Sequence, residues 1–157
     1  MTEKIQFTMP NVFQLADIEK QCFGVEAWTI NNLRGEFSNP FSHFFGEVVD
    51  GKIVGYACVR IMYEEAQICN VCVLPNFRRQ GIATRLMDAV KQLAVEHECE
   101  RCELEVNTEN AVATAMYKKC GYEIQGIRKN FYRRTSYNSR DAYTMVLQLK
   151  QPIELTD

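Results

Sequence analysis

Val71-Cys72-Val73-Leu74-Pro75-Asn76-Phe77-Arg78-Arg79-Gln80-Gly81-Ile82-Ala83-Thr84 reads as an apolar, β-branched strand, a Pro/Asn break, two arginines, a glycine and the start of a helix. The apolar positions of that helix recur at Ile82, Leu86, Ala89, Val90 and Leu93, the spacing of one buried face. A strand that passes through a basic turn into a glycine-started helix aims several free backbone N–H groups, and the positive end of the helix dipole, at one point. Gly81 has no Cβ to hold a phosphate away from the backbone, and Arg78 and Arg79 raise the local positive potential. The same residues also suit an ordinary strand-to-helix connection with solvated arginines, so the rest of the chain has to decide between the two.

At 157 residues, 46% hydrophobic and 11% aromatic, the chain has enough apolar material for one core of ordinary size. We read one domain over residues 1–150 and a short, frayed tail over 151–157, because no linker, internal repeat or low-complexity segment interrupts the pattern. A net charge of −2 argues against a duplex nucleic-acid binder. No apolar run approaches a membrane span, and Met1-Thr2-Glu3-Lys4 lacks the pattern of a secretion signal. We expect a cytoplasmic protein with no direct nucleic-acid or membrane partner.

Seven cysteines in such a compartment are expected to be free thiols. Cys69/Cys72 and Cys99/Cys102 have C-x-x-C spacing. If Cys69 and Cys72 lie in one strand, an offset of three sends them to opposite faces, and they cannot share a metal without a bulge. We expect no metal. His43, in an aromatic strand, and His97, at a helix end, read as structural or solvated residues and leave a cysteine nucleophile without a base.

The remaining elements follow from their punctuation. Ile5 to Met9 reads as a short strand ended by Pro10, and Asn11 as the cap of a helix reaching Phe23, where Gly24 stops it. Thr29 caps a second helix through Phe37, closed by Asn39-Pro40. His43–Val49 and Lys52–Tyr63 read as a hairpin around Asp50-Gly51, followed by a strand from Gln67 to Leu74. After the helix from Gly81 to about His97 come a strand, Cys102–Val106, a helix capped by Asn110 and ended at Gly121, and two strands, Tyr122–Arg128 and Tyr143–Leu149. The pattern predicts an α/β (α+β) fold: a mixed, mostly antiparallel twisted sheet of about seven strands with helices on both faces.

Chemistry is expected beside the anion site. In Cys102-Glu103-Leu104-Glu105-Val106, alternation puts Leu104 and Val106 on one face and Glu103 and Glu105 on the other, as either a solvated face or a catalytic one. Tyr117 lies two turns beyond Asn110 on a helix of small residues, Ala111, Ala113, Thr114 and Ala115, which leaves room for a slender ligand. The phenol also suits a rim residue with a satisfied hydroxyl.

Arg78-Arg79-Gln80-Gly81-Ile82-Ala83 matches the Q/R-x-x-G-x-G/A signature of the GCN5-related N-acetyltransferase (GNAT) superfamily, and the order of elements resembles that fold. Leu104-Glu105-Val106-Asn107-Thr108-Glu109-Asn110-Ala111, Met116-Tyr117-Lys118-Lys119-Cys120-Gly121-Tyr122, Arg128-Lys129-Asn130-Phe131-Tyr132, Asp141-Ala142-Tyr143-Thr144-Met145 and Ala27-Trp28-Thr29 resemble its bacterial ribosomal-protein-alanine N-acetyltransferase (RimI) branch. Cysteines at 69, 72 and 120 depart from the plain apolar or small residues expected there. Buried cysteine packs as a small hydrophobe, so the core tolerates the exchange.

The resemblance implies acetyl transfer from acetyl-CoA, as cosubstrate, to the N-terminal α-amino group of a protein, a ribosomal one. By position, Val71, Cys72 and Val73 would offer backbone bonds to the acetyl and pantetheine end. Arg78, Arg79, Gln80, Gly81, Ile82, Ala83 and Thr84 would form the cofactor's phosphate cradle, and Asn110 would bond the pantetheine arm. Glu105 would accept a proton and Tyr117 donate one. A backbone N–H of Val71 to Val73 would stabilise the oxyanion if a bulge turned it off the ladder. The loops Gly24–Ile30 and Arg128–Asp141, with Trp28, Phe131, Tyr132 and Tyr137, match only in part and leave peptide selectivity open. Acetylation of a small-molecule amine, or a non-catalytic acetyl-CoA-binding regulator, are the other readings.

Overall fold

The Lys52–Met62 strand is buried along nearly its whole length on both faces, which marks the centre of a sheet covered on two sides. In a computed structural model that describes residues 1–150, its elements run β1 (Thr2–Lys4), α1 (Met9–Phe23), α2 (Ile30–Ser38), β2 (Ser42–Val49), β3 (Lys52–Met62), β4 (Glu65–Val73), α3 (Ile82–Glu96), β5 (Arg101–Asn107), α4 (Ala111–Lys119), β6 (Glu123–Arg128) and β7 (Ala142–Gln148). Among the described residues seven strands form one sheet in the order β1-β2-β3-β4-β5-β7-β6. Every neighbouring pair is antiparallel except β4 and β5. The tail expected over 151–157 lies outside the described residues.

Two apolar layers sandwich the sheet. On one face α1 and α2 set Val12, Leu15, Ile18 and Leu33 against Phe44, Tyr56, Cys58 and Cys72. On the other, α3 sets Leu86, Met87 and Val90 against Ala57, Val59, Leu104 and Met145. Leu15, Leu33 and Leu86 are fully buried, and removing a side chain of that kind costs about 2–5 kcal/mol. At one edge the nearly buried Glu47 carboxylate accepts from Arg85 of α3, Thr2 and the terminal ammonium, which ties β1 and α3 to β2.

The hairpin turn is as expected: Asp50 and Gly51 both have positive φ, 50° and 77°, the pairing of a two-residue turn that follows the strand twist. Thr29 caps α2 through a capping box with Asn32. The start of the chain differs from the sequence reading. The first strand is Thr2–Lys4, and α1 begins at Met9 with Thr8 as its cap. Pro10 sits in the first turn, where no N–H is missed, so it opens the helix that it was expected to precede.

The cysteine geometry also needs correcting. Cys58 pairs with Asn70 and Val59 with Ile68, which leaves Cys69 as the extra residue of a β-bulge. The bulge puts Cys69 and Cys72 on the same side, among the residues under α1 and α2. They do not act as a pair: Cys69 meets Cys58 and Cys72 meets Cys22.

β4 and β5 pair over only three rungs, Glu65 with Arg101, Ala66 with Cys102 and Gln67 with Glu103. Beyond them the strands separate. Their closed end carries the Arg101–Glu65 ion pair and the Glu100 N–H bond to the Glu64 carbonyl at 2.7 Å.

Gly55 of β3 pairs with Val73, the last residue of β4. A Cβ there would stand 3.0 Å from the Cys72 carbonyl oxygen and 3.3 Å from Val73 Cα. Neither backbone atom can swing aside, so Gly55→Ala should lower stability by about 1–3 kcal/mol, read as a fall in urea midpoint at an unchanged slope.

Candidate active site

The parting of β4 from β5 exposes the inner edges of both strands. The Leu74 N–H bonds to the Val54 carbonyl of β3; by alternation, the polar backbone groups of Val71 and Val73 point the other way, into the opening. The Val73 carbonyl agrees, since it accepts from Arg78 Nε at 2.9 Å and from the Cys22 thiol at 3.4 Å rather than from a strand. The expected freeing of these groups by a local bulge is therefore replaced by the divergence of β5. The bulge lies earlier, at Cys69.

Three adjoining clefts share this opening. The central one, about 200 Å³, is lined by Asn70, Val71, Glu105, Asn110, Tyr117 and Tyr132 among others. The second, about 650 Å³, runs from Val71–Val73 past Arg78, Arg79 and Gly81–Thr84 and along α4 at Asn110, Ala113, Met116 and Tyr117. The third, about 960 Å³, lies on the other side between Trp28, Asn70, Glu105, Phe131 and Tyr132. Of the residues expected to hold the coenzyme or carry the proton transfers, all but Gln80 line one of these clefts. The Gln80 carbonyl instead accepts from Arg85 Nη1 at 3.1 Å.

The turn into α3 is a cradle. Arg79 and Gly81 both take left-handed backbone, φ 64° and 79°. Gly81 caps α3 with no side-chain acceptor, and no acidic residue lies in the first turn, so the first N–H groups of α3 face the cleft without a protein anion to satisfy them. This arrangement suits a diphosphate. Asn110 caps α4 through its Oδ1, bonded to the Ala113 N–H at 3.2 Å, and stands between the first and second clefts.

Glu105 sits in the crotch of the opening, two residues past the last paired rung. Its side chain is 10% exposed; Gln67 Nε2, on that last rung of β4, donates to Oε2 at 2.8 Å, and Arg128 Nη1 stands 3.5 Å from Oε1. Burial raises its pKa, and Arg128 and Gln67 only partly oppose the rise, to which Glu103 adds. Leu104 and Val106 are buried on the opposite face, so the alternation expected in β5 holds. The Tyr117 phenol makes no hydrogen bond within the described residues. Burial pushes its pKa up, and Tyr132, Cys72 and Cys120 add to the rise, so it stays protonated throughout the neutral range.

Sequence reasoning missed the supports of the site. Gln67 orients Glu105. Asn70 donates to the fully buried Glu19, which also accepts from Tyr56 and from the Trp28 N–H at 2.9 Å. The polar residues Gln67 and Asn70 within an otherwise apolar strand were the available signal, since Asn is depleted in strands. His43 and His97 lie outside the three clefts, with rings 5.6 Å apart. Glu36, Cys58 and Cys69 bring three ligand-type atoms within 4.8 Å, but Arg60 and Ser42 already hold the Glu36 carboxylate.

An antiparallel sheet split beside one parallel pairing, with an anion cradle at the split and a buried carboxylate in its crotch, defines an acyltransferase of the GNAT fold. The acetyltransferase (GNAT) family model matches residues 11–122, and the chain belongs to that family. A Bacillus subtilis protein provisionally named a [ribosomal protein bS18]-alanine N-acetyltransferase is 31% identical over 144 residues, 91% of this chain and 93% of that one. The ribosomal-protein-S18-alanine N-acetyltransferase of Escherichia coli superposes with a TM-score of 0.84 at 23% identity, over 100% of this chain and 99% of that one. Naa50 of Arabidopsis thaliana, solved with the bisubstrate analogue CoA-Ac-MVNAL, superposes with a TM-score of 0.77 at 22% identity, over 94% and 99%. The chain is thus a GNAT N-acetyltransferase similar to the ribosomal-protein-alanine enzymes. No described helix is long and apolar enough to cross a membrane.

Carbon-13 NMR titration of the Glu105 carboxyl should give a midpoint above the ordinary glutamate value. Arg128→Ala should raise it further and Glu103→Gln lower it, because the two neighbours act in opposite directions. An unmoved midpoint in both variants would show that neither charge reaches the site.

Proposed function

We propose that the protein, as a single domain over residues 1–150, transfers the acetyl group of acetyl-CoA to the N-terminal α-amino group of a protein, with the N-terminal alanine of a ribosomal protein as the leading substrate. One observation carries this reading: Glu105 borders both the central cleft that holds Tyr117 and the large cleft on the far side. The coenzyme and the amine then approach one carboxylate from opposite sides.

Acetyl-CoA supplies the activated acyl carbon. The cradle from Arg78 to Thr84 binds its diphosphate, Asn110 and the small residues of α4 flank the pantetheine arm, and the Val71 and Val73 backbone meets the acetyl end. An α-ammonium, with a pKa of about 8, cannot attack until it loses a proton. Glu105 attracts the cation and accepts that proton directly or through one water, and its raised pKa suits the task. An N–H of Val71 or Val73 steadies the developing oxyanion. Tyr117 keeps its proton at neutral pH and delivers it to the departing thiolate. Attack is direct: Cys72 is buried and its thiol is pushed well above the ordinary range by burial, so it is a poor nucleophile.

The far-side cleft, about 960 Å³ and rimmed by Trp28, Phe131 and Tyr132, is larger than a small amine needs and favours a peptide. Mass spectrometry after incubation with acetyl-CoA and peptides beginning with Ala, Ser or Met should find α-acetylated product, Ala first. Turnover of small amines with no acetylated peptide would instead assign the activity to metabolites.

Glu105→Gln and Tyr117→Phe should each lower turnover by about 10²-fold or more while calorimetric coenzyme affinity stays nearly intact. The acid limb of kcat/KM should lie above the ordinary glutamate value, with activity lost as pH falls through the Glu105 pKa, and in Glu105→Gln that limb should give way to one set by the free amine, at about 8.

A further inference from the structure

Cys22 near the end of α1 is the one thiol that borders both the central cleft and the cleft running to the α3 cradle. It is half-buried. As a thiol it donates to the Val73 carbonyl at 3.4 Å, Arg78 Nη2 stands 3.7 Å from its sulfur, and the buried Cys72 thiol is its neighbour. Direct acetyl transfer uses neither sulfur.

We propose that Cys22 is a thiol-modification site that reacts with disulfides of the coenzyme class, CoA disulfide above all, to give a mixed disulfide that blocks the acetyl end of the channel. The proposal rests on the coenzyme placement given under Proposed function. The Cys22 thiolate attacks one sulfur of CoA disulfide; the Cys22–CoA S–S bond forms, the CoA–CoA S–S bond breaks, and one CoA thiolate leaves and takes a proton from water. Cys22 is oxidised and half of the incoming disulfide is reduced.

The surroundings favour the thiolate. The Cys72 hydrogen bond is the main influence lowering the Cys22 pKa; Arg78 adds to it, burial and Glu19 oppose it, and the result is about 7. The reactive form is therefore present at neutral pH. Cys72 is pushed well above its ordinary range by burial, so it serves as a donor and does not displace the adduct. Cys69 is the competing thiol. It borders the central and far-side clefts but not the cleft that runs to the cradle, so a ligand led in by its diphosphate meets Cys22 first.

The test exposes the reduced full-length protein to CoA disulfide or to glutathione disulfide, followed by intact-mass measurement and peptide mapping. The expected result is one CoA adduct, on Cys22, formed about tenfold or more faster than the glutathione adduct, slowed by excess acetyl-CoA, absent in Cys22→Ser and reversed by dithiothreitol. In Cys72→Ala the pH midpoint of the reaction should move up from about 7 toward the ordinary thiol value. Equal rates with the two disulfides, adducts on Cys69, or an unreactive Cys22 would overturn the proposal. Calorimetry with acetyl-CoA on the same sample separates the causes: intact binding puts the failure on Cys22, and absent binding overturns the coenzyme placement as well.

Discussion

Three rungs of parallel pairing hold the two halves of this sheet together, and the site exists because there are no more. A strand edge left unpaired inside a protein carries backbone donors and acceptors that need partners. Here those of β4, past Gln67, face the opening, where Val73 already takes Arg78 and Cys22. The missing rungs leave backbone groups turned toward the clefts, and the elements around the split line the same opening. The turn into α3 presents uncapped N–H groups, α4 presents Asn110 and a line of small residues, and β5 presents Glu105.

The electrostatic arrangement follows from the same geometry. Glu105 lies where β4 and β5 begin to part, largely removed from water, while Gln67 reaches it from the adjacent β4 and Arg128 from β6, beyond β7. Burial alone would neutralise a carboxyl, and the Arg128 charge with the Gln67 hydrogen bond alone would fix it as an anion. Their opposition leaves a carboxyl held above the ordinary glutamate value, the direction that suits a proton acceptor. Tyr117 has no such counterweight and remains an acid.

Most of this was legible in the chain because it is local. The alternation of Leu104, Glu105 and Val106, the Asp50-Gly51 turn, the Thr29 cap and the Arg78–Thr84 cradle each declare themselves within a few residues. What escaped is set by tertiary contact. The bulge at Cys69 shifts side-chain parity for every later residue of β4, and spacing alone cannot announce it. The alternation of Ile5 to Met9 gives Pro10 the position of a strand terminator, whereas Thr8 caps a helix that starts earlier. The Glu19–Tyr56–Asn70 cluster joins residues 51 positions apart, and the split itself depends on where two strands of distant sequence stop pairing.

The Glu65–Gln67 seam against Arg101–Glu103 also behaves as an aperture stop. Each further rung zipped shut would move the crotch outward by roughly 3.3 Å and withdraw one inward-facing backbone group, while each rung undone would deepen the mouth by the same step. Bore and depth are therefore set in whole-residue increments by the register of these two strands.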